Sequence, residues 1–260
     1  MRVLITGANG YIGKSLYLAF KSKYDVTAIT RAEYDLTNHT YLRRLFRNDY
    51  YDVVLHCAIN GGHRLREDSW NVMDSNLQMY YNLLDYKSSY NKLIHLGSGA
   101  EIHDAESPYG LSKKVIANSI SEIDNFYNIR IFGVFNENEM DSRFIKANIK
   151  RYINKEPMLL HQNKYMDFFY MQDLITLVKY YIDSDSAELF KDVNCSYTDT
   201  CTLMEIANMI NELDSYTVPI LLDKPYGVDY SSDNCTPYEL NYVGLKQGII
   251  ETYNKLKNEY

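Results

Sequence analysis

Apolar residues in the first half of the chain come as short unbroken runs, alternating with stretches where they recur every three or four positions. The runs read as strands and the recurring pattern as helices with one buried face. They predict a strand over residues 2–6, a helix over 11–22, a strand over 25–30, a short helix over 40–48 and a strand over 52–57. A long helix over 69–89 then leads to a strand at 92–96, a helix through Tyr109 and Lys113 to about 122, and a strand over 127–134. The third, fourth and fifth strands are nearly continuous apolar runs, as expected when both faces of a sheet are buried. The alternation is that of an α/β chain whose parallel sheet is covered on both sides. Beyond residue 135 the pattern is less regular, with helices over 141–154, 173–183, 203–213 and 242–260 and extended segments at 159–161 and 166–170. No internal repeat or low-complexity linker breaks it. The C-terminal third is expected to form a small lobe over the strand ends, where open α/β sheets place their ligands.

Composition narrows the classes. The net charge is −7 and no basic run occurs, which argues against nucleic acid or an anionic membrane as partner. No apolar run reaches the 18 or more residues of a membrane span, and the first strand begins so early that no room is left for a signal peptide. Four scattered cysteines (Cys57, Cys195, Cys201 and Cys235) lack metal or disulfide spacing, so reduced thiols and a cytoplasmic location are expected. The 26 tyrosines follow no periodic motif, and coding bias accounts for them.

Two motifs carry chemistry. After the first strand come Gly7, Gly10 and Gly13. The first permits a tight turn, the second lets backbone approach a pyrophosphate, and the third lets the helix lie close on the sheet. The helix N-terminus then offers N–H groups to the phosphates. A lone glycine pattern is weak, but this one follows a strand and opens a helix, so a dinucleotide is expected. At the end of the second strand Arg31 suits a 2′-phosphate, which favours NADP. Glu33 keeps NAD open, and Asp35 and Leu36 are expected near the adenine. The second motif is Ser98, Tyr109 and Lys113. Residues four apart on a helix share a face, so Tyr109 and Lys113 point at one site. A lysine beside a phenol lowers its pKa from near 10, and such a Tyr can exchange a proton with a carbonyl or carbinol oxygen that Ser98 also binds. A Tyr-x-x-x-Lys pair is by itself common in a Tyr-rich chain; its place after strand four, with HLGS at the strand end, sets it apart.

At these residues the chain resembles the extended short-chain dehydrogenase/reductase superfamily, the NAD-dependent epimerase/dehydratase family. The likeness runs through TGANGYIG, DVVLHCAINGG, the helix holding Asn76, HLGSGAE, YGLSK, RIFGVF and DFFYMQDL. Within it, TRAEYDLTN, AINGG and the tail LLDKPYGVDYSSDN…GLKQGIIETYNKL look like the branch of GDP-fucose synthases and related 4-keto-6-deoxy-sugar reductases. The resemblance implies a Rossmann-type doubly wound parallel sheet with a small C-terminal substrate lobe. Residues 1–137 would bind NAD(P), and 138–260 would form mainly the substrate lobe, with one or more elements returning to the main sheet. It implies Ser98, Tyr109 and Lys113 as catalytic residues. Gly7, Asn9, Gly10, Tyr11, Ile12, Gly13, Arg31, Ala58 and Lys113 would line the cofactor, and His63, Arg64, Asn136 and Arg143 are substrate-side candidates. A homodimer through the helices of Asn76 and Tyr109 is implied too.

Departures from the branch sharpen the expectation. Its epimerising members use a Cys two residues after the catalytic Ser and a His on the helix after strand five; here those positions read Ala100 and Arg143. Neither can shuttle a proton α to a ketone. The Asp-Glu pair of the 4,6-dehydratases is replaced by Gly99 and Ala100, and Met166 stands where a substrate-binding Arg is expected. The sequence therefore predicts a cytoplasmic NADPH-dependent reductase of a 4-keto-6-deoxy nucleotide sugar, GDP-linked by the resemblance, which does not epimerise C3 or C5 and feeds surface-glycan assembly. Its rivals are an NAD-dependent nucleotide-sugar 4-epimerase or C4 dehydrogenase and, outside catalysis, an NADP-sensing regulatory protein. No metal site is expected.

Overall fold

Val3, Leu4 and Ile5 are fully buried, and the strand they form, β1 (Arg2–Thr6), lies inside a six-stranded sheet. The computed structural model describes residues 1–63 and 67–258. After β1 come α1 (Tyr11–Phe20), β2 (Asp25–Ile29), α2 (His39–Phe46), β3 (Tyr51–His56), α3 (Trp70–Leu84), β4 (Tyr90–Ser98), α4 (Ala100–His103), α5 (Pro108–Ser121) and β5 (Phe126–Ile131). The sixth strand, β9 (Asp192–Cys195), arrives much later, and the order across the sheet is β2-β1-β3-β4-β5-β9. The pairs β1–β2, β1–β3 and β3–β4 are parallel. From β1 the chain goes outward on one side to β2 and returns on the other to β3. That reversal between β1 and β3 is the switch point at which a doubly wound sheet opens a crevice at its strand ends. The fold is Rossmann-type, as the motifs implied.

The chain divides into two compact units, Met1–Arg130 with Val178–Val193, and Ile131–Leu177 with Asn194–Tyr260. In the first, Leu4, Val54, Leu93, Tyr80, Leu83 and Ile116 belong to one buried cluster of sheet, α3 and α5. Among its buried polar groups is Lys92, whose Nζ donates to the carbonyls of Tyr181 at 2.7 Å and Ser184 at 2.8 Å. A cation there satisfies carbonyls at the end of α7 (Met171–Asp183), which have no partners within that helix.

The second unit has its own core. There α6 (Phe144–Ile153), α8 (Leu203–Asn211) and α9 (Leu245–Lys257) gather around β7 (Met158–Gln162), which pairs in parallel with β10 (Ile220–Lys224). Ile149, Tyr152, Leu160, Ile206 and Tyr253 belong to that cluster. The fifth strand is not the single run to residue 134 that its apolar pattern suggests. It ends at Ile131, and Val134–Phe135 forms β6, which pairs with β8 (Phe169–Tyr170). Gly133 makes this possible: a Cβ there would lie 3.0 Å from the Phe168 ring and 3.1 Å from the Asp167 carbonyl. Likewise α3 stops at Leu84, short of residue 89, and the apolar pattern marks neither the one-turn α4 nor the four-residue β9, for which the resemblance gave only an unplaced element returning to the main sheet.

Candidate active site

At the switch point the glycine loop is forced by contact. Gly7 has φ +66°, and a Cβ on it would lie 2.7 Å from the backbone of Ala58 beyond β3. One on Gly13 would strike the Gly7 carbonyl at 2.4 Å. Gly10 differs: apart from the Gly7 carbonyl at 3.2 Å, nothing lies within 4 Å of its missing Cβ. That backbone faces open space. Gly10 is the N-cap of α1, no side chain caps the helix, and no acid stands in its first turn. A helix start left without an internal anion is where a phosphate fits. Asn9 is exposed, and Tyr11 and Ile12 are half-buried beside it. The loop therefore has the shape and the donors for a dinucleotide pyrophosphate.

The end of β2 bears on which dinucleotide. Thr30 donates to Glu33 Oε2 through its backbone N–H at 3.3 Å and its hydroxyl at 2.9 Å. Thr37 donates to Asp35 in the same two ways, at 3.0 and 2.8 Å. Partial burial opposes the charged Asp35, but those bonds and Arg31 hold its pKa below the ordinary value. Both carboxylates are thus engaged locally. The Arg31 side chain is 73% exposed and pairs with Asp35 at 3.8 Å. Leu36 is 4% exposed and lies in the core cluster.

Ser98, Tyr109 and Lys113 meet at the C-terminal end of β4. Ser107 caps α5 by accepting from Gly110 N–H at 3.0 Å, with Pro108 as the first helical residue. Gly110 lets this helix start press on α4, since its Cβ would lie 1.9 Å from the Asp104 carbonyl. Tyr109 and Lys113 are then one turn apart. Lys113 is 3% exposed; its ammonium donates to the Leu96 carbonyl and meets His95 Nε2 at 3.3 Å. Burial pulls it down to about 8, with Glu101 the leading opposing charge. Ser98 Oγ accepts the Ala100 N–H at 3.2 Å, which leaves its own proton for an oxygen in the site. The loop after β3 covers Tyr109: Gly62, at φ +74°, would bring a Cβ within 2.8 Å of the ring, and its N–H is held by Asp68 at 2.8 Å. Asn76 fastens this loop to α5, exchanging bonds with the Asn60 backbone at 2.9 and 3.1 Å and donating to Ser112 at 3.0 Å.

A polar row that sequence reasoning missed runs beneath Lys113. Thr6, His56 and His95 are register partners on β1, β3 and β4. Thr6 Oγ1 meets His56 Nδ1 at 3.0 Å and accepts the N–H groups of Cys57 and Ala58 at 3.2 and 3.1 Å. With two donors already on it, that hydroxyl gives its proton to His56. The His56 and His95 rings lie 5.2 Å apart. Burial, then the charge on Lys113, depresses both imidazoles, His56 to about 3 and His95 well below its usual range. Burial also pushes the Cys57 thiol up to about 12. All three stay neutral. The signal in the sequence was a histidine at the same place in LHCA and IHLG, legible only once the strands are in register.

The remaining candidates are more scattered. His63 is exposed on the loop after β3, and Arg64 lies outside the described residues. Asn136 and Arg143 belong to the second unit. Asn136 is buried and accepts the Asn138 N–H at 2.9 Å, and Arg143 is the N-cap residue of α6. Met166 is 3% exposed within that unit's core. Among the described residues no group of three or more His, Cys, Asp or Glu is placed to hold a metal ion, and no helix is long and apolar enough to cross a membrane.

CDP-abequose synthase of Yersinia pseudotuberculosis is 25% identical over 99% of this chain and 97% of its own length. GDP-L-colitose synthase of the same organism is 23% identical over 100% and 99%. Among solved structures, a GDP-mannoheptose C4 reductase from Campylobacter jejuni with NADP bound superimposes with a TM-score of 0.80 at 14% identity, over 98% of each chain. The sequence profile of the NAD dependent epimerase/dehydratase family matches residues 3–196. With that match spanning the glycine loop, the crevice and the Ser98–Tyr109–Lys113 set, the chain belongs to the NAD dependent epimerase/dehydratase family and is an NAD(P)-dependent oxidoreductase.

Proposed function

We propose that this enzyme reduces the C4 ketone of a 4-keto-6-deoxy sugar carried on a nucleoside diphosphate, GDP in the first instance, with NADPH and without epimerising C3 or C5. The observation that carries the reading is the composition of the site at the end of β4. Among the described residues there it holds donors for a ketone oxygen, with Ala100 where epimerising members of the branch carry a Cys and with His56, His95 and Cys57 held neutral. Gly7, Asn9, Gly10, Tyr11, Ile12 and Gly13 would hold the pyrophosphate, Arg31 the 2′-phosphate, and Ala58 and Lys113 the nicotinamide side. NADPH held there would supply the hydride for C4. Tyr109 gives its phenolic proton to the C4 oxygen while Ser98 donates to the same oxygen. The ammonium of Lys113, one turn along α5, favours the phenolate that Tyr109 becomes.

Epimerisation at C3 or C5 needs a base that takes a proton from carbon and an acid that returns one. Ala100, 5% exposed, offers neither. His56 and His95 are far too weak as bases, and Cys57 remains a thiol. The names of the two relatives support a nucleotide-linked sugar, and the C4 reductase with NADP supports the reaction and cofactor. The homodimer is part of this reading, with α3 and α5 as its interface; light scattering would return twice the 30.4 kDa chain mass.

The test is NADPH oxidation by the pure protein with 4-keto-6-deoxy sugars on GDP, CDP, dTDP and UDP, generated enzymatically. Turnover with one nucleotide and preference for NADPH over NADH are expected. Silence across the panel, with NAD retained through purification, would replace this reading with a 4-epimerase or C4 dehydrogenase.

A further inference from the structure

The carboxylate of Glu101 is inserted beneath the end of β4. The residue is 4% exposed, on the single turn of α4. Oε1 accepts the Ser98 N–H at 2.7 Å, while Oε2 accepts Asn128 Nδ2 at 3.0 Å and Arg130 Nε at 2.9 Å. Gly97 exists to admit it, since a Cβ there would lie 2.4 Å from both Glu101 Oε1 and Asn128 Oδ1. Lys113 meanwhile donates to the carbonyl of Leu96. The two charges therefore grip adjacent peptide units on either side of Gly97, the anion on the N–H of Ser98 and the cation on the carbonyl before Gly97. A carboxylate whose only work was to neutralise Arg130 would need no contact with the strand; Asp192 already pairs with that guanidinium.

We propose that Glu101 is a positioning residue of the active site, pinning the backbone of Ser98 and serving as the buried counter-charge of Lys113. The proposal rests on the reductase reading for the roles of Ser98 and Lys113, and goes beyond it in giving Glu101 a part in the chemistry. Opposite charges in a buried site favour each other's ionised forms. Desolvation raises the pKa of Glu101, while Arg130, the Ser98 N–H and Lys113 lower it. Among the described residues, the groups acting on Lys113 are Glu101 from α4, His95 from β4, and His56 and Cys57 from β3 and its end; Tyr80 from α3 lies against the His95 ring, and Tyr109 is one turn before Lys113 on its own helix. Those facing Glu101 are Arg130 and Asn128 of β5, with Asp192 behind them, and Lys113. Among the described residues Glu101 is the leading opposite charge acting on Lys113, and it binds the peptide unit next to the one whose carbonyl Lys113 holds, which is why its removal must be felt there.

The experiment titrates Lys113 directly, by NMR of protein carrying 13Cε-lysine, the signal being assigned by its loss in Lys113→Met. The wild-type midpoint is expected near 8. In Glu101→Gln, nearly isosteric and uncharged, it should fall by about one unit. Asp192→Asn weakens the same Arg130 cluster without touching Ser98 or Lys113, and should leave the midpoint in place. By reciprocity, Lys113→Met should raise the midpoint of the Glu101 carboxyl in 13C-glutamate-labelled protein; this arm decides the matter if Glu101→Gln does not fold. An unmoved Lys113 midpoint in Glu101→Gln, an equal fall in Asp192→Asn, or an unmoved Glu101 midpoint in Lys113→Met would each overturn the proposal. None of these readouts needs substrate, so a silent substrate panel would fail the reductase reading and leave this one standing.

Discussion

Acid should destabilise this protein through its buried histidines, and the size of the effect follows from His56. In the fold that imidazole accepts the Thr6 hydroxyl and does not take up a proton until about pH 3; its ordinary value is 6.5. Between those limits the unfolded chain binds a proton that the folded chain does not, so stability rises with pH across the window and is lost as pH falls below 6.5. Each unit corresponds to about 1.4 kcal/mol once the unfolded imidazole is protonated, so the drop from pH 7 to pH 5 costs about 2 kcal/mol from His56 alone. Set against a total of about 5–15 kcal/mol for a typical domain, that is a large fraction. His95 adds to it in the same direction. Replacing His56 by Asn keeps an acceptor for Thr6 and removes the titrating ring. Urea unfolding of wild type and His56→Asn at pH 7 and pH 5 isolates the contribution, because protonating carboxylates affects both proteins alike. The variant will be weaker at either pH, having lost buried volume, but its loss between the two should be smaller by about 2 kcal/mol. Equal losses in the two proteins would refute the buried neutral imidazole.

Other outcomes follow from the same geometry. Arg31→Ala should weaken NADPH binding by roughly tenfold to a hundredfold and leave NADH binding in place, since the charge-assisted contact to the 2′-phosphate proposed for Arg31 would be removed; at a mostly exposed side chain, stability should move by no more than about 0.5 kcal/mol. Calorimetric titration with both nucleotides checks it. Gly97→Ala drives a methyl group onto Glu101 and Asn128 and should cost about 1–3 kcal/mol in a denaturant melt. Tyr109→Phe should lower kcat by roughly 10²–10⁴-fold with NADPH affinity unchanged, and unchanged function in that variant would favour a sensor over an enzyme.

How much of this was legible in sequence depended on how local the cause was. The glycine loop was, because Gly7, Gly10 and Gly13 answer to contacts within one strand–turn–helix unit and with the start of a loop that must lie beside it. The helix bearing Tyr109 and Lys113 was too, because the four-residue spacing is a short-range signal. The split of the fifth strand was not: Gly133 matters only because Phe168 and Asp167 come back from thirty-odd residues away. Four residues of β9 with polar Asp192 and Asn194 give too brief an alternation to stand out. Within the site, the row from Thr6 through His56 to His95 depends on strand register, and the placement of Glu101 depends on Arg130 of another strand. A buried charge is identified by its partners, and those are set by the fold.

The central claim is that the site reduces a ketone and moves no proton on carbon. The measurement that addresses it most directly is NMR of the product formed in heavy water from whichever 4-keto-6-deoxy nucleotide sugar is turned over. The account predicts a single C4 alcohol epimer with no deuterium at C3 or C5. Deuterium at either carbon would contradict it, showing that a group other than Ala100, His56, His95 or Cys57 performs the exchange.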